Sequence, residues 1–504
     1  MNRRPPRETE PGRLPRSPFG LVDELSCYYD TVAEPNNIHL EVLVPGPVDY
    51  RALRQAVAGA LAAAPRANGR MAAGRAFRRR YEWEFPPVPD TDPLSHATWS
   101  DEHELATLRA GFLASAPPLR TSPPVRLLLA SGLGTSCVIL NAHHAALDGM
   151  SSLELLRDIA GRYGAIAGDA AGGRPSGGAP GRPTAQDRAP AGPPDGAPPF
   201  GAPARAHIRA VLRYPAARIA PERQRRERRD GYGLRLLPVP SLPRPSGATV
   251  NDVLVAALIA TVSRWNAAHH RPHRTISITV PVNARGPGLR GVAGNHSRIA
   301  TVVAGPKTAA GDLLLLLAAV TRQTAALRRA GPARAPAGTL GFAPRWCPVA
   351  LKRLAVRSAL RTIGRAVCDT AMLTNLGNVA DPPWSGHRGP VRMALSGPAH
   401  MPRGVSVAAV TADGQLQLGF RYRHALFDEA AAARFVAAYA ATLDELVKAA
   451  GRRRAGTEIE GGDTGDPAGG AAQDPRVPGR QGLPDVLRRR GPAVQPAPQA
   501  RVPD

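Results

Sequence analysis

The chain's 504 residues and 53.0 kDa exceed what a single compact core organises, so two or more domains are expected. Hydrophobic residues at 43% and charged residues at 21% are ordinary for a folded chain in water, and the longest strongly apolar run, Val253–Val262, is about half of the roughly 20 residues a membrane span needs. Lys+Arg 65 against Asp+Glu 40 leaves +25, carried almost wholly by arginine, since lysine occurs only at positions 307, 352 and 448.

In chain order, residues 1–17 read as a disordered arm, rich in Arg and Pro and lacking the apolar core of a secretory signal. An N-terminal folded block spans 18–167. In it Asn37–Val44 alternates as a strand and Tyr50–Ala63 has helical spacing. Val125–Ala130 and Cys137–Ala142 read as neighbouring strands about the turn Ser131–Thr135, and Leu153, Leu156, Ile159, Ala160 and Tyr163 recur at helical spacing. Residues 168–206 are mostly Gly, Ala and Pro and read as a flexible linker. A C-terminal block, 207–450, offers the apolar helix Asn251–Trp265, the strand Thr275–Val282 and the helix Leu313–Leu327. A basic helix follows over 350–367, then strands at Ala371–Leu376, Val405–Thr411 and Leu416–Tyr422, and a last helix at Glu429–Lys448. The low-complexity bias returns over 451–504, expected to be a disordered tail. The four cysteines, Cys27, Cys137, Cys347 and Cys368, stand far apart without metal or disulfide spacing; they predict buried thiols in a reducing, cytoplasmic setting.

The net charge is localised. Residues 202–235 hold ten arginines against Glu222, Glu227 and Asp230, and residues 322–366 hold ten cations and no acid. Within the second stretch Arg353, Arg357, Arg361 and Arg365 form an i, i+4 row on an amphipathic helix. It reads either as a solvated face or as a docking face for an anion: coenzyme A phosphates, an acidic carrier protein or an anionic membrane surface. No nucleic-acid-binding module accompanies the charge, so nucleic acid is not the expected partner. His269, His270 and His273 collect at a helix C-terminus stopped by Pro272, which favours capping over metal binding, and no metal site is expected.

The sequence His143-His144-Ala145-Ala146-Leu147-Asp148-Gly149 stands where an apolar strand ends and a helix begins. Successive strand residues face opposite ways, so one histidine can face a cleft while the other packs inward. A cleft histidine is suited to removing a proton near neutral pH. Asp148 can cap the following helix, and Gly149 suits a tight turn with backbone close to the site. With 13 histidines in 504 residues, the pattern arises by chance roughly twice in a thousand such chains.

HHxxxDG is the signature of the condensation-domain and coenzyme A-dependent acyltransferase superfamily, and the chain resembles it over about residues 18–450. Leu21-Val22-Asp23-Glu24 is similar to the family's opening segment, and Pro123-Pro124-Val125-Arg126-Leu127 to the strand before the histidines. Thr249-Val250-Asn251-Asp252-Val253-Leu254 resembles the TVNDV(L) helix start of wax ester synthase-like enzymes and standalone condensation-like proteins. Pro281-Val282-Asn283-Ala284-Arg285 resembles their PV(N/S)xR, Gly294-Asn295 their GN, and Leu373-Thr374-Asn375-Leu376-Gly377 their (S/T)N motif. The continuation Gly377-Asn378-Val379 is closer to standalone condensation-like proteins than to wax ester synthases.

The resemblance implies an α/β fold of two chloramphenicol acetyltransferase-like subdomains, with mixed sheets, flanking helices and the active-site cleft between them. It implies acyl transfer from a coenzyme A or carrier-protein thioester to a small alcohol or amine, with no bound cofactor. His144 would be the general base and His143 structural, while Asp148 would pair with Arg285 and hold the loop. Gly149, Thr374 and Asn375 are candidates to stabilise the oxyanion, and Asn251 to contact substrate. Two alternatives stay open: a wax ester synthase/diacylglycerol acyltransferase peripheral to a lipid surface, and a catalytically silent module that recruits a carrier protein.

Overall fold

A computed structural model of the chain describes residues 14–74, 77–132, 134–170, 215–224, 231–239, 242, 247–283, 294–295, 297–330, 346–386 and 389–460. The first half contains β1 (Arg16–Pro18), α1 (Leu21–Tyr29), β2 (Asn37–Pro45), α2 (Tyr50–Ala63), β3 (Arg70–Met71), β4 (Glu82–Glu84), β5 (Leu94–Thr98), α3 (Glu102–Leu113), β6 (Val125–Gly132), β7 (Thr135–His143) and α4 (Gly149–Ala170). The second contains β8 (Tyr232–Val239), α5 (Val250–Ala268), β9 (Ile276–Asn283), β10 (Ser297–Ala304), α6 (Pro306–Ala309), α7 (Leu313–Ala330), α8 (Val349–Thr362) and α9 (Gly364–Val367). It closes with β11 (Ala371–Val379), β12 (Arg392–Ser396), β13 (Val405–Ala412), β14 (Gln415–Arg423) and α10 (Glu429–Glu460).

Strand alternation and helix periodicity build two cores. In β2 the residues Ile38, Leu40, Val42 and Val44 face one way and pack with Leu53, Val57 and Leu61 of α2 and Leu153, Leu156 and Ile159 of α4. Asp49 caps α2 by accepting from the Ala52 N–H at 2.7 Å. In the second half α5 is apolar on nearly every side and buried along its length. Its start is fixed by a capping box, with the Thr249 N–H donating to Asp252 at 2.8 Å and the Asp252 N–H donating to Thr249 at 3.2 Å. The Thr324 hydroxyl of α7 donates to the same carboxylate at 2.6 Å, which locks the two helices together.

Three sheets result: β12-β2-β7-β6-β5, β10-β9-β11-β13-β14-β8, and the small β1-β4-β3. β12 crosses the expected boundary. It lies in the C-terminal block, yet it pairs antiparallel with β2 from Arg392 opposite Leu43 to Ser396 opposite His39. Met393 and Leu395 enter the first core, and Val379, Trp384, Ala408, Val410 and Ala412 of the second half join them. The block 207–450 is therefore not a self-contained subdomain, because the exposed edge of β2 is closed by a strand from it. Packing joins the described residues up to Ala455 into one compact unit.

Two other boundaries differ from expectation. Arg16–Pro18, at the end of the expected arm, pair with β4, and Arg16 donates to Glu84 at 2.7 Å. The last helix continues past Lys448 to Glu460, into the expected tail. Residues 1–13, 171–206 and 461–504, where the rest of the arm, the linker and the tail were expected, lie outside the described residues.

Candidate functional site

β7 and α4 deliver the motif. β7 is held between β2 and β6, and its last residue, His143, donates its N–H to the Pro124 carbonyl at 2.9 Å. One residue on, the His144 N–H donates to the Asn36 carbonyl at 2.9 Å, so the backbone turns across the end of the sheet. The two rings then part, as alternation requires. His143 is buried at 1% exposure; its Nδ1 accepts the Ala145 N–H at 3.0 Å, which leaves the proton on Nε2, 3.6 Å from an Asp30 oxygen. Burial pushes the Asp30 carboxyl up, but the His143 ring and the Asn36 N–H outweigh it and hold it below its ordinary value. His143 thus anchors the loop.

His144 is half-buried, and burial lowers its imidazole below the ordinary value of 6.5. Its own backbone, the Asp148 carboxylate and the Asn295 side chain pull the other way, while the His143 ring adds to the lowering. The net effect keeps the ring neutral at pH 7, the form a general base needs. Asp148, buried at 2%, accepts the Ser151 N–H at 2.9 Å and caps α4 as expected. Its expected partner Arg285 lies outside the described residues.

Gly149 behaves differently from expectation. Its backbone is not left-handed, and a methyl group there would sit 3.5 Å from Leu376 Cδ1, an ordinary contact. What Gly149 does is keep the start of α4 clear where β11 approaches. β11 pairs parallel with β13 through Thr374 and Asn375, then bulges before Asn378, with Gly377 at φ +85°. The Gly377 N–H donates to Asn375 Oδ1 at 2.8 Å, so that side chain keeps only its NH2 as a free-standing donor. The bulge brings Leu376 to Gly149 and carries Thr374 and Asn375, both half-buried, toward the same end of the fold. Asn251 sits in the first turn of α5, and among the described residues no hydrogen bond links it to the His144 loop.

The sequence reading passed over two residues that hold this loop. Asn295 Nδ2 donates to the His144 carbonyl at 2.8 Å, the Ala145 carbonyl at 3.0 Å and Asp23 Oδ1 at 2.9 Å. Asp23 is 3% exposed and also accepts from the Gly20 N–H at 3.0 Å, the Trp83 indole at 3.3 Å and the Arg66 guanidinium. Beside them Ser151 Oγ and the Gly294 N–H are 3.0 Å apart. Both residues stood within segments of family resemblance, but no spacing rule assigns a side chain to a loop 150 residues away.

The basic features resolve unevenly. His269 engages the Trp265 carbonyl and Glu222, both at 2.8 Å, at the end of α5. In the arginine row, Arg357 turns inward and donates to the carbonyls of Tyr28 at 3.1 Å and Asp30 at 2.7 Å. Arg353, Arg361 and Arg365 are exposed. The row is therefore not one solvated face.

No protein-family model matches the chain. Two Mycobacterium tuberculosis proteins, described as uncharacterized and belonging to strains CDC 1551 / Oshkosh and ATCC 25618 / H37Rv, are each 28% identical to it over 442 residues, 84% of this chain and 97% of theirs. Among solved structures, the first condensation domain of the CDA synthetase matches with a TM-score of 0.60 at 16% identity, covering 86% of this chain and 96% of that one. The epimerization domain from the third module of tyrocidine synthetase B matches at 0.55 and 14%, covering 88% and 99%. The starter condensation domain of rhizomide synthetase, a mutant in complex with C8-CoA and Leu-SNAC, matches at 0.55 and 13%, covering 85% and 92%. The chain is condensation-domain-like in fold, as the resemblance implied.

Proposed function

We propose that the chain transfers an acyl group from a coenzyme A or carrier-protein thioester to a hydroxyl or amine, with His144 as the general base. The observation that carries this is the neutral, half-buried His144 imidazole on a loop fixed from Asn36 and Asn295. In the reaction His144 takes the proton of the acceptor O–H or N–H as that atom attacks the thioester carbonyl carbon. The carbonyl electrons move onto oxygen, and the Asn375 amide and the Gly149 N–H are the donors suited to meet that charge. When the oxyanion collapses, the C–S bond breaks and the leaving thiolate takes the proton back from His144. No covalent acyl-enzyme is needed, because the thioester is already activated.

Octanoyl-CoA is a reasonable first donor, since a solved condensation domain of the same fold holds C8-CoA. Mixed with a panel of alcohols and amines, the protein is expected to release thiol and yield an acylated product, and His144→Ala to lose both by about 100-fold or more. Equal turnover by the variant would remove His144 from the mechanism. Carrier-protein binding with no turnover in either protein would favour the silent module.

A lipid-surface setting is a second reading, favoured by α8. That helix buries Val349, Lys352 and Val356, and its opposite side exposes Leu351 at 56% and Leu354 at 63%, with Arg353 and Arg361 alongside. Its first turn bonds the carbonyls of Arg78 and Arg79, next to Phe77, which is 83% exposed. Co-sedimentation with phosphatidylglycerol vesicles, lost on Leu351→Ser/Leu354→Ser, is the expected result. Binding to an acyl carrier protein and not to vesicles would exclude it.

A further inference from the structure

Asn295 is joined to more separate parts of the site than any residue the motif reading picked out. Its NH2 group serves three acceptors: an Asp23 carboxylate oxygen from α1, and the carbonyls of His144 and Ala145. All three accept and none donates, so they fix which end of the amide is nitrogen and which oxygen. The oxygen, Oδ1, is buried and has no partner among the described residues. Nδ1 of His144 is likewise buried without one. An amide oxygen and an imidazole nitrogen left unpaired in the same small volume are costly unless the nitrogen carries its hydrogen toward the oxygen. That places the proton on Nδ1 and the lone pair on Nε2.

Resting on the reading of His144 as the base, we infer that Asn295 is a positioning residue that selects the Nδ1–H tautomer of His144 and aims Nε2 at the acceptor. The charged and titratable groups that bear on the ring are His143 and Asp148 of its own loop, with Asp23 acting through Asn295. Asp23 in turn is held by Arg66 and Trp83, so the orientation of the base is tied to α1 and to β4. Without the amide, the carbonyl of His144 loses its donor and Nδ1 its acceptor. The ring is then free to turn or to take the other tautomer, which carries a proton where the base needs a lone pair.

The direct test is 15N-imidazole NMR of the full chain, with the His144 signals identified by their loss in His144→Gln. The wild type should show Nδ1 protonated and Nε2 bare at pH 7.5. Asn295→Ala should shift the ring toward the Nε2–H form and lower its titration midpoint, whereas Asn295→Asp, with a charge beside the ring, should raise it. In turnover, Asn295→Ala should lose kcat by about 10- to 100-fold with KM within about twofold, a fraction of what a general base contributes. A merely structural role would not move the midpoint in opposite directions. An Nε2–H tautomer in the wild type would overturn the inference even if no variant folds, and so would an Asn295→Ala ring with wild-type tautomer and midpoint. The NMR readout needs no acyl transfer, so its failure is separate from failure of the functional reading, which is judged by His144→Ala turnover.

Discussion

His143 and His144 are neighbours with opposite tasks, and the difference comes from which face of the strand end each one takes. The ring of His143 is used on both nitrogens, by the Ala145 N–H and by Asp30, and has no lone pair to offer a substrate. His143→Ala leaves a buried N–H and a carboxylate without their partner, which costs on the order of 1–3 kcal/mol. His144→Ala removes a half-buried ring at the loop's open side. Thermal melting should therefore fall clearly for the first variant and stay near wild type for the second, while both lose activity. Equal melting losses would mean that the two roles are not divided in this way.

At the scale of elements, β12 deserves the closest argument, because it is bonded to one sheet while lying against another. Its Leu395 carbonyl passes so close to β14 that a Cβ at Gly419 would come within 2.1 Å of the oxygen. Only glycine allows that approach. Gly419→Ala should displace β12 from β2, strip Met393 and Leu395 from the first core and lower the urea midpoint by the equivalent of several kcal/mol, on the scale of lost core side chains. A variant with wild-type midpoint would show that the strand adapts without loss.

Such elements also mark what could be read in advance. Tyr50–Ala63, Val125–Ala130, Asn251–Trp265 and Val405–Thr411 were legible because each carries its own apolar period. β12 was not, since Arg-Met-Ala-Leu-Ser is too short to show a period and its partner lies some 350 residues earlier. The same limit applies at the site. His144, His143 and Asp148 announce themselves by spacing within one loop, whereas Asn295 and Asp23 act only after folding brings three distant segments together.

At the scale of the molecule, burial of imidazoles predicts how stability depends on pH. His39, His144 and His400 are all pushed below the ordinary 6.5, chiefly by burial. The unfolded chain takes up protons at these sites near pH 6.5 and the folded chain resists them, so stability is full above that pH and declines as pH falls below it. The carboxylates Asp30, Glu34 and Glu41, the last held at about 2 by Arg109 and His39 against burial, add a separate loss only below their ordinary range near 4. Melting temperature measured from pH 8 to pH 3 should fall in two stages. A flat curve between pH 7 and 5 would contradict the neutral state of the three rings.

The net charge of +25 takes its place at this scale as well. Part of it is structural, as in Arg357 and Arg66, and part lies on the outer side of α8, where a donor or surface of opposite charge would meet it. Neither use tests the chemistry itself. The most direct measurement is the pH dependence of the single-turnover rate of acyl transfer from octanoyl-CoA, in the wild type and in His144→Ala. The account predicts a wild-type rate that is constant near pH 7 to 8 and falls on acidification below pH 6.5, as one group takes up a proton, and a variant that has lost both the rate and this dependence. A variant that transfers the acyl group at the wild-type rate with the same acid limb would contradict it.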